Sequence, residues 1–197
     1  MHSNDDTPMT NPLTAGFLDA LADATSTDDA LRQINRCRLQ IAPGSIFSIQ
    51  QNVTTARDGS DQILLRRFYS SEGATFPING AKRKTLTPWT DCLFLQGRVF
   101  IGEGEAVLAQ HFDDFAQMRP YGLCSVVNVP LMQGRLCYAT VNVFGTRDHW
   151  RPEEVLGLRL LALAAARWVP AVPGLAYRFT GAAAPTNTPK EQEMPCQ

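Results

Sequence analysis

His111 and Asp114 stand three residues apart in "EAVLAQHFDDFAQMRPYG", a spacing that places both on one face of a helix. A carboxylate that orients an imidazole makes a general base or a grip for a polar ligand, and a surface ion pair is the plainer alternative. Redox chemistry would need an accessible thiolate of low pKa and a resolving partner. Cys124, with His111 or Arg119 nearby, is the candidate thiolate, and Cys92 the resolving one. The five cysteines, Cys37, Cys92, Cys124, Cys137 and Cys196, form no CxxC pair, and His2, His111 and His149 are the only imidazoles. No metal site is expected from that set, and nothing calls for a cofactor. Glu103 and Glu105 in "IGEGE" read as exposed or capping, and Glu103, directly after Gly102 at a strand end, can instead turn inward. Arg67, Arg119 and Lys82 are cations available to an anionic ligand, and spacing distinguishes none of them. Phe76, Trp89 and Tyr121 can wall a flat ligand or serve as ordinary core.

A different kind of candidate lies in "GLCSVVNVPLMQGRLCYATVNVF", from Gly122 to Phe144. It reads as two strands joined around Gln133-Gly134. Alternate side chains of a strand face opposite sides. One face carries Ser125, Val127, Val129 and Leu131 on the first strand and Cys137, Ala139, Val141 and Val143 on the second. The other carries Cys124, Val126, Asn128 and Pro130, then Tyr138, Thr140, Asn142 and Phe144. The first face, with Phe47 and Ile49, is aliphatic; the second is studded with hydrogen-bonding groups.

The elements that must position these residues follow from periodicity. "TAGFLDALADATSTDDALRQINRCRLQI" holds apolar residues at helical spacing, interrupted at Thr25–Asp29 by a stop and a new N-cap. "SIFSIQQN" and "QILLRRFYSS" read as paired strands. Thr87 caps a helix that starts at Pro88 and runs to about Gln96. "VFIGEG" is a short strand, and "EAVLAQHFDDFAQMRPYG" a helix with a broken second turn. "RPEEVLGLRLLALAAARWVPA" opens with Pro152 and two acids and forms a buried helix ending near Trp168. The Lys82-Arg83-Lys84 cluster reads as a solvated loop or a site for one small anion. The order describes an α/β (α+β) domain, with an antiparallel sheet and terminal helices on one face.

Between the second and third of these strands lies an excursion of roughly 50 residues, far longer than an ordinary loop. It carries Phe76, Leu86, Trp89, Leu93, Phe94, Phe100, Phe112, Phe115 and Tyr121, apolar surface worth about 25 cal/mol per Å² when buried. With helices on one face of the sheet, the place left for it is over the polar face. Asn128 and Asn142 then lie beneath a lid, where buried amides require partners. A bound small molecule or trapped water would supply them.

The totals exclude several classes. With 197 residues, 44% hydrophobic, 19% charged and a formal net charge of −1, the chain reads as one soluble domain without the cationic surface nucleic acid requires. No window is long enough to span a bilayer. "MHSNDDTPMTNP" has neither the basic start nor the apolar run of a signal peptide, so a cytoplasmic location with free thiols is expected. Residues 1–14 are read as a flexible N-terminus, 15–179 as the domain, and 180–197, including Cys196, as a disordered tail.

The stretch "GLCSVVNVPLMQGRLCYATVNVFGTRDHWRPEEVLGLRLLALAA" resembles the second half of a GAF domain, the small-molecule-sensing fold related to PAS domains. An s-v-v-x-V-P-L strand, a Gly turn, a strand ending in an Asn-containing x-N, and W-x-P-E-E-v-x-x-L-x-x-L-A are that family's close. The resemblance spans Ala15 to Ala171 and is nearest to the short stand-alone GAF proteins of bacteria. It implies a six-stranded antiparallel sheet, homodimerisation through the terminal helices, and a ligand pocket between sheet and lid. The N-K-x-F-D motif of cyclic-nucleotide GAF domains is absent, and Cys124 is not followed by the His of bilin attachment. The expected function is sensory or regulatory binding of a small molecule, with Phe76, Trp89, Glu103, His111, Asp114, Tyr121, Cys124, Asn128, Tyr138, Thr140 and Asn142 around the ligand. The enzyme alternatives are a cysteine redox enzyme like free methionine-R-sulfoxide reductase, or a lyase or hydrolase using His111 and Asp114. That reductase's cysteines fall partly where this chain has Gly102 and Gly104. A third alternative is an interaction module whose hollow is filled by its own side chains.

Overall fold

The computed structural model describes residues 12–179. Expectations for residues 1–11 and 180–197, His2 and Cys196 among them, lie outside the described residues. Helices α1 (Ala15–Ala22) and α2 (Thr27–Ile41) precede strands β1 (Ile46–Asn52), β2 (Gln62–Ser70) and β3 (Ala81–Thr85). The lid then runs through α3 (Pro88–Thr90), a π-helical stretch Asp91–Leu95, β4 (Phe100–Glu103), α4 (Glu105–His111) and α5 (Phe115–Met118). Strands β5 (Ser125–Gln133) and β6 (Leu136–Gly145) and helix α6 (Pro152–Ala166) complete it. The six strands form one antiparallel sheet in the order β3-β2-β1-β6-β5-β4.

Local chemistry explains the starts of the helices. The Ser26 hydroxyl accepts the Asp29 N–H to cap α2, and Thr87 and Thr90 form a reciprocal capping box on α3 with Pro88 in its first turn. Helix α6 opens on Pro152, Glu153 and Glu154, acids that complement the partial positive charge there.

The sheet separates two apolar layers. Phe47, Ile49, Val127, Val129, Val141 and Val143 pack with Leu31, Ile34, Leu158, Leu161, Ala162 and Ala165 of α2 and α6. On the other side Ile46, Ile63, Leu65 and Val126 meet Trp89, Leu93, Phe94, Leu108, Phe112 and Met118 of the lid. This is the layering the strand faces predict, with two corrections.

The first correction is a β-bulge in β6. Leu131 opposes Ala139 and Met132 opposes Cys137, which leaves Tyr138 with no opposite residue. An inserted residue breaks the alternation of faces. Tyr138 therefore joins the helix-side layer, its hydroxyl donating to the Ala166 carbonyl at 3.2 Å, and Cys137 turns to the lid-side layer. The sequence expectation had these two residues on each other's faces.

The second correction is strand β3, which contains Lys82, Arg83 and Lys84 and is no loop. It pairs with β2 at the sheet edge, where lysines block further strand addition. Lys82 forms an ion pair with Asp114, Lys84 with Asp113 at 2.5 Å, and Arg83 with Asp58 at 3.3 Å. The first two clasp the sheet edge to the lid.

Candidate functional site

The amides under the lid are buried, as the alternating pattern requires, and they are already engaged. The Trp89 indole N–H donates to Asn128 Oδ1 at 2.9 Å, Asn128 Nδ2 donates to Asn142 Oδ1 at 2.7 Å, and Asn142 Nδ2 reaches the Thr140 carbonyl at 3.3 Å. Around this chain Trp89 packs on Phe94 and Phe112, and Phe112 on Phe144. The lid thus fills the space over Asn128 and Asn142 with its own indole, correcting the expectation that a guest or water must satisfy them.

Polar groups that lack partners lie one row along the same face. Register places Arg67 of β2 opposite Gln50 of β1, and Gln50 opposite Thr140 of β6. Arg67 Nε, Gln50 Oε1 and Thr140 Oγ1 are buried atoms without a hydrogen-bond partner among the described residues. Thr140 is 0% exposed. A buried polar group left unpaired costs roughly 1–3 kcal/mol, so three in adjacent register positions call for a partner, whether water or ligand.

Beside this row, between sheet and lid, is a cavity of about 20 Å³, room for about one water. Ser48, Ser70 and Arg67 give it polar walls, and Ile46, Phe76, Met118, Leu123 and Phe144 apolar ones. Arg67 Nη1 donates to the Pro77 carbonyl at 3.2 Å, and the guanidinium lies 5.5 Å from the centre of the Phe76 ring. Burial pulls the Arg67 pKa below its ordinary value, and the charge of Asp114 works against that fall. A larger, open groove of about 420 Å³ lies elsewhere, between Thr54–Ser60 and residues 176–178, but its carboxylate, Asp58, is occupied by Thr55 and Arg83.

The remaining expected residues do not converge. Helix α4 ends at His111, and Phe112 takes an extended backbone (φ −123°, ψ 109°), so Asp114 falls outside the helix that would have set it beside His111. His111 stands edge-on to Phe100, ring centres 5.0 Å apart, while Asp114 pairs with Lys82; burial lowers the His111 pKa. No general-base pair forms.

Glu103 points away from the cavity. It accepts the Trp150 N–H at 2.9 Å and faces His149 Nδ1 at 3.1 Å. Phe76 walls the cavity, and the half-exposed Tyr121 touches it only by stacking on Phe76 and bonding Thr75 at 2.7 Å. Arg119 makes an exposed ion pair with Glu105 at 3.8 Å.

Neither candidate redox thiol is activated. Cys124 is buried, and its pKa is raised by burial first and then by Asp148 and Glu105. The Cys92 pKa is also raised, mainly by burial, and its thiol points at the Arg98 and Val99 carbonyls. Low-pKa thiolates need the opposite surroundings.

Ser48 and Gln50 were overlooked in the sequence, although they alternate with Phe47 and Ile49 just as Asn142 and Thr140 alternate with Val143 and Val141. Arg67 stood among the cations without distinction, because its place opposite Gln50 depends on a β2 bulge that skips Phe68. Among the described residues no cluster of three His, Cys, Asp or Glu suits a metal ion, and no helix is long and apolar enough to cross a membrane.

No family model matches the chain, and no curated protein matches it in sequence. Solved structures match it in fold. The GAF domain of a phosphoenolpyruvate-protein phosphotransferase from Coxiella burnetii superimposes with a TM-score of 0.57 at 11% identity, over 82% of this chain and 94% of that one. The GAF domain of a two-component sensor histidine kinase from Bacillus halodurans gives 0.53 at 13% identity, over 73% and 94%. The chromophore-binding domain of a bacteriophytochrome from R. palustris gives 0.53 at 9% identity, over 77% of this chain and 58% of that one. The chain therefore spans less than two thirds of that last structure. At these identities the likeness establishes the architecture: the fold is that of GAF domains.

Proposed function

On this GAF-domain fold, we propose that the chain is a sensory or regulatory protein that binds a small molecule between sheet and lid. The observation that carries the reading is the row of Arg67, Gln50 and Thr140, each with a buried unpartnered polar atom facing the lid. Domains of the same fold include one named for chromophore binding and one from a sensor kinase, which suits a role in signalling. Because the cavity holds only about one water, a guest must displace part of the lid. The clasp of Lys82 to Asp114 and Lys84 to Asp113 sets how readily it moves, since ion pairs as exposed as these contribute only about 0.2–1 kcal/mol each. The raised thiols and the separated His111 and Asp114 favour binding over catalysis.

A metabolite panel read by thermal shift tests this. A ligand raises the unfolding temperature of the wild type by mass action, and the shift disappears in Thr140→Val, which keeps the side-chain shape and removes the free hydroxyl. One observation favours a second reading, an interaction module: Trp89 already satisfies Asn128. A panel without any hit, on a protein that binds a macromolecular partner, would decide for it.

A further inference from the structure

The guest's chemistry follows from what the cavity walls offer, given the seat proposed above. Arg67 makes no ion pair among the described residues. The nearby carboxylate is Asp114, and it is taken by Lys82. With Nη1 on the Pro77 carbonyl, the guanidinium keeps Nε as an unused donor, and Nε belongs to the edge that pairs with carboxylates in a two-pronged fashion. Ser48, buried and on the same cavity wall, has a hydroxyl with no hydrogen bond among the described residues. A guanidinium with no ion-pair partner and a free hydroxyl therefore share one wall among the described residues, with Ile46, Phe76, Met118, Leu123 and Phe144 as the apolar walls. A half-buried guanidinium whose nearest carboxylate is paired elsewhere gains from a directly bound anion.

We infer that the ligand is a short-chain carboxylic acid, held by its carboxylate on Arg67 and Ser48 with its alkyl end against the apolar walls. A phosphate or sulfate fits worse, because its oxygens point in all directions and more than half the wall is hydrocarbon. Met118, unbranched and pliable, is the wall that yields to admit the chain.

The test compares sodium acetate, propionate and butyrate with acetamide, propionamide and butyramide, at matched ionic strength, by thermal shift and calorimetry. The acids stabilise the wild type, the amides and equimolar sodium chloride do not, and Arg67→Gln weakens acid binding at least tenfold. Ser48→Ala, a milder change, weakens it several-fold and covers the case in which Arg67→Gln fails to fold. Amides that bind as well as acids, with the effect intact in Arg67→Gln and lost in Thr140→Val, would overturn the carboxylate while leaving the seat in place. Acids and amides that both leave the protein unmoved, together with a metabolite panel that finds nothing, would remove the seat as well.

Discussion

Asn128 is the centre of the side-chain network under the lid, with the Trp89 indole on its oxygen and Asn142 on its nitrogen. Truncating it orphans a buried indole N–H and a buried amide oxygen, each costing roughly 1–3 kcal/mol. Asn128→Ala is therefore expected to lower the unfolding free energy by about 2–4 kcal/mol in denaturant titration. Asn142→Ala removes the acceptor of Asn128 Nδ2 and only a long 3.3 Å contact to the Thr140 carbonyl, and costs less. An Asn128→Ala loss below about 1 kcal/mol would mean the network is not intact in solution. Alternation put these amides on one face, and the long apolar excursion said that the face would be covered. Neither could say that Trp89, 39 positions away, would answer them. Such pairing depends on how the lid folds back, and local spacing carries no trace of it. Tyr138 shows the same limit at one residue: the bulge that turns it to the helix side has no glycine or other signal in "LCYATV".

Among the elements, those with strong periodicity were legible: α2, α6, β1, β5 and β6 stand where the apolar spacing puts them. Strand β3 was not, because "AKRKT" has no apolar residue after its first to reveal an alternation; its three cations Lys82, Arg83 and Lys84 all go to ion pairs. Strand β4, at the opposite edge, pairs with β5 alone and is tied at its end by Glu103, whose carboxylate accepts the Trp150 N–H and faces His149. The Trp150 N–H, followed by His149, holds the Glu103 pKa below the ordinary glutamate value. A carboxyl with a depressed folded-state pKa stabilises the protein above its unfolded pKa, near 4.3, and that contribution is lost as pH falls through the lower folded value. Wild-type stability should thus fall faster than that of Glu103→Gln from about pH 5 downward, the two curves running parallel above it. Equal acid slopes for the two proteins would show that Glu103 does not hold the end of β4 to the loop before α6.

At the scale of the whole molecule the unresolved demand is the outer face of α6. The inner face, with Gly157, Leu158, Leu161, Ala162 and Ala165, is buried in the helix-side layer. Leu156, Leu160 and Leu163 are 56%, 44% and 69% exposed. At positions i, i+4 and i+7 they form one narrow stripe, so the helix is apolar on both sides. A helix of that kind is stable in water only when its second side is covered. A second copy of the chain offers the same stripe, and two such faces related by a twofold axis match each other without further design. The resemblance implied dimerisation through the terminal helices, and this stripe makes α6 the face to test for it. Sedimentation velocity is expected to find a dimer for the wild type and a monomer for Leu160→Glu, with an unchanged unfolding midpoint once concentration dependence is removed. Charge placed at Leu39, exposed on α2 but off the stripe, serves as the control and leaves the dimer intact. A wild type that stays monomeric at its highest soluble concentration would hand the stripe to a different partner.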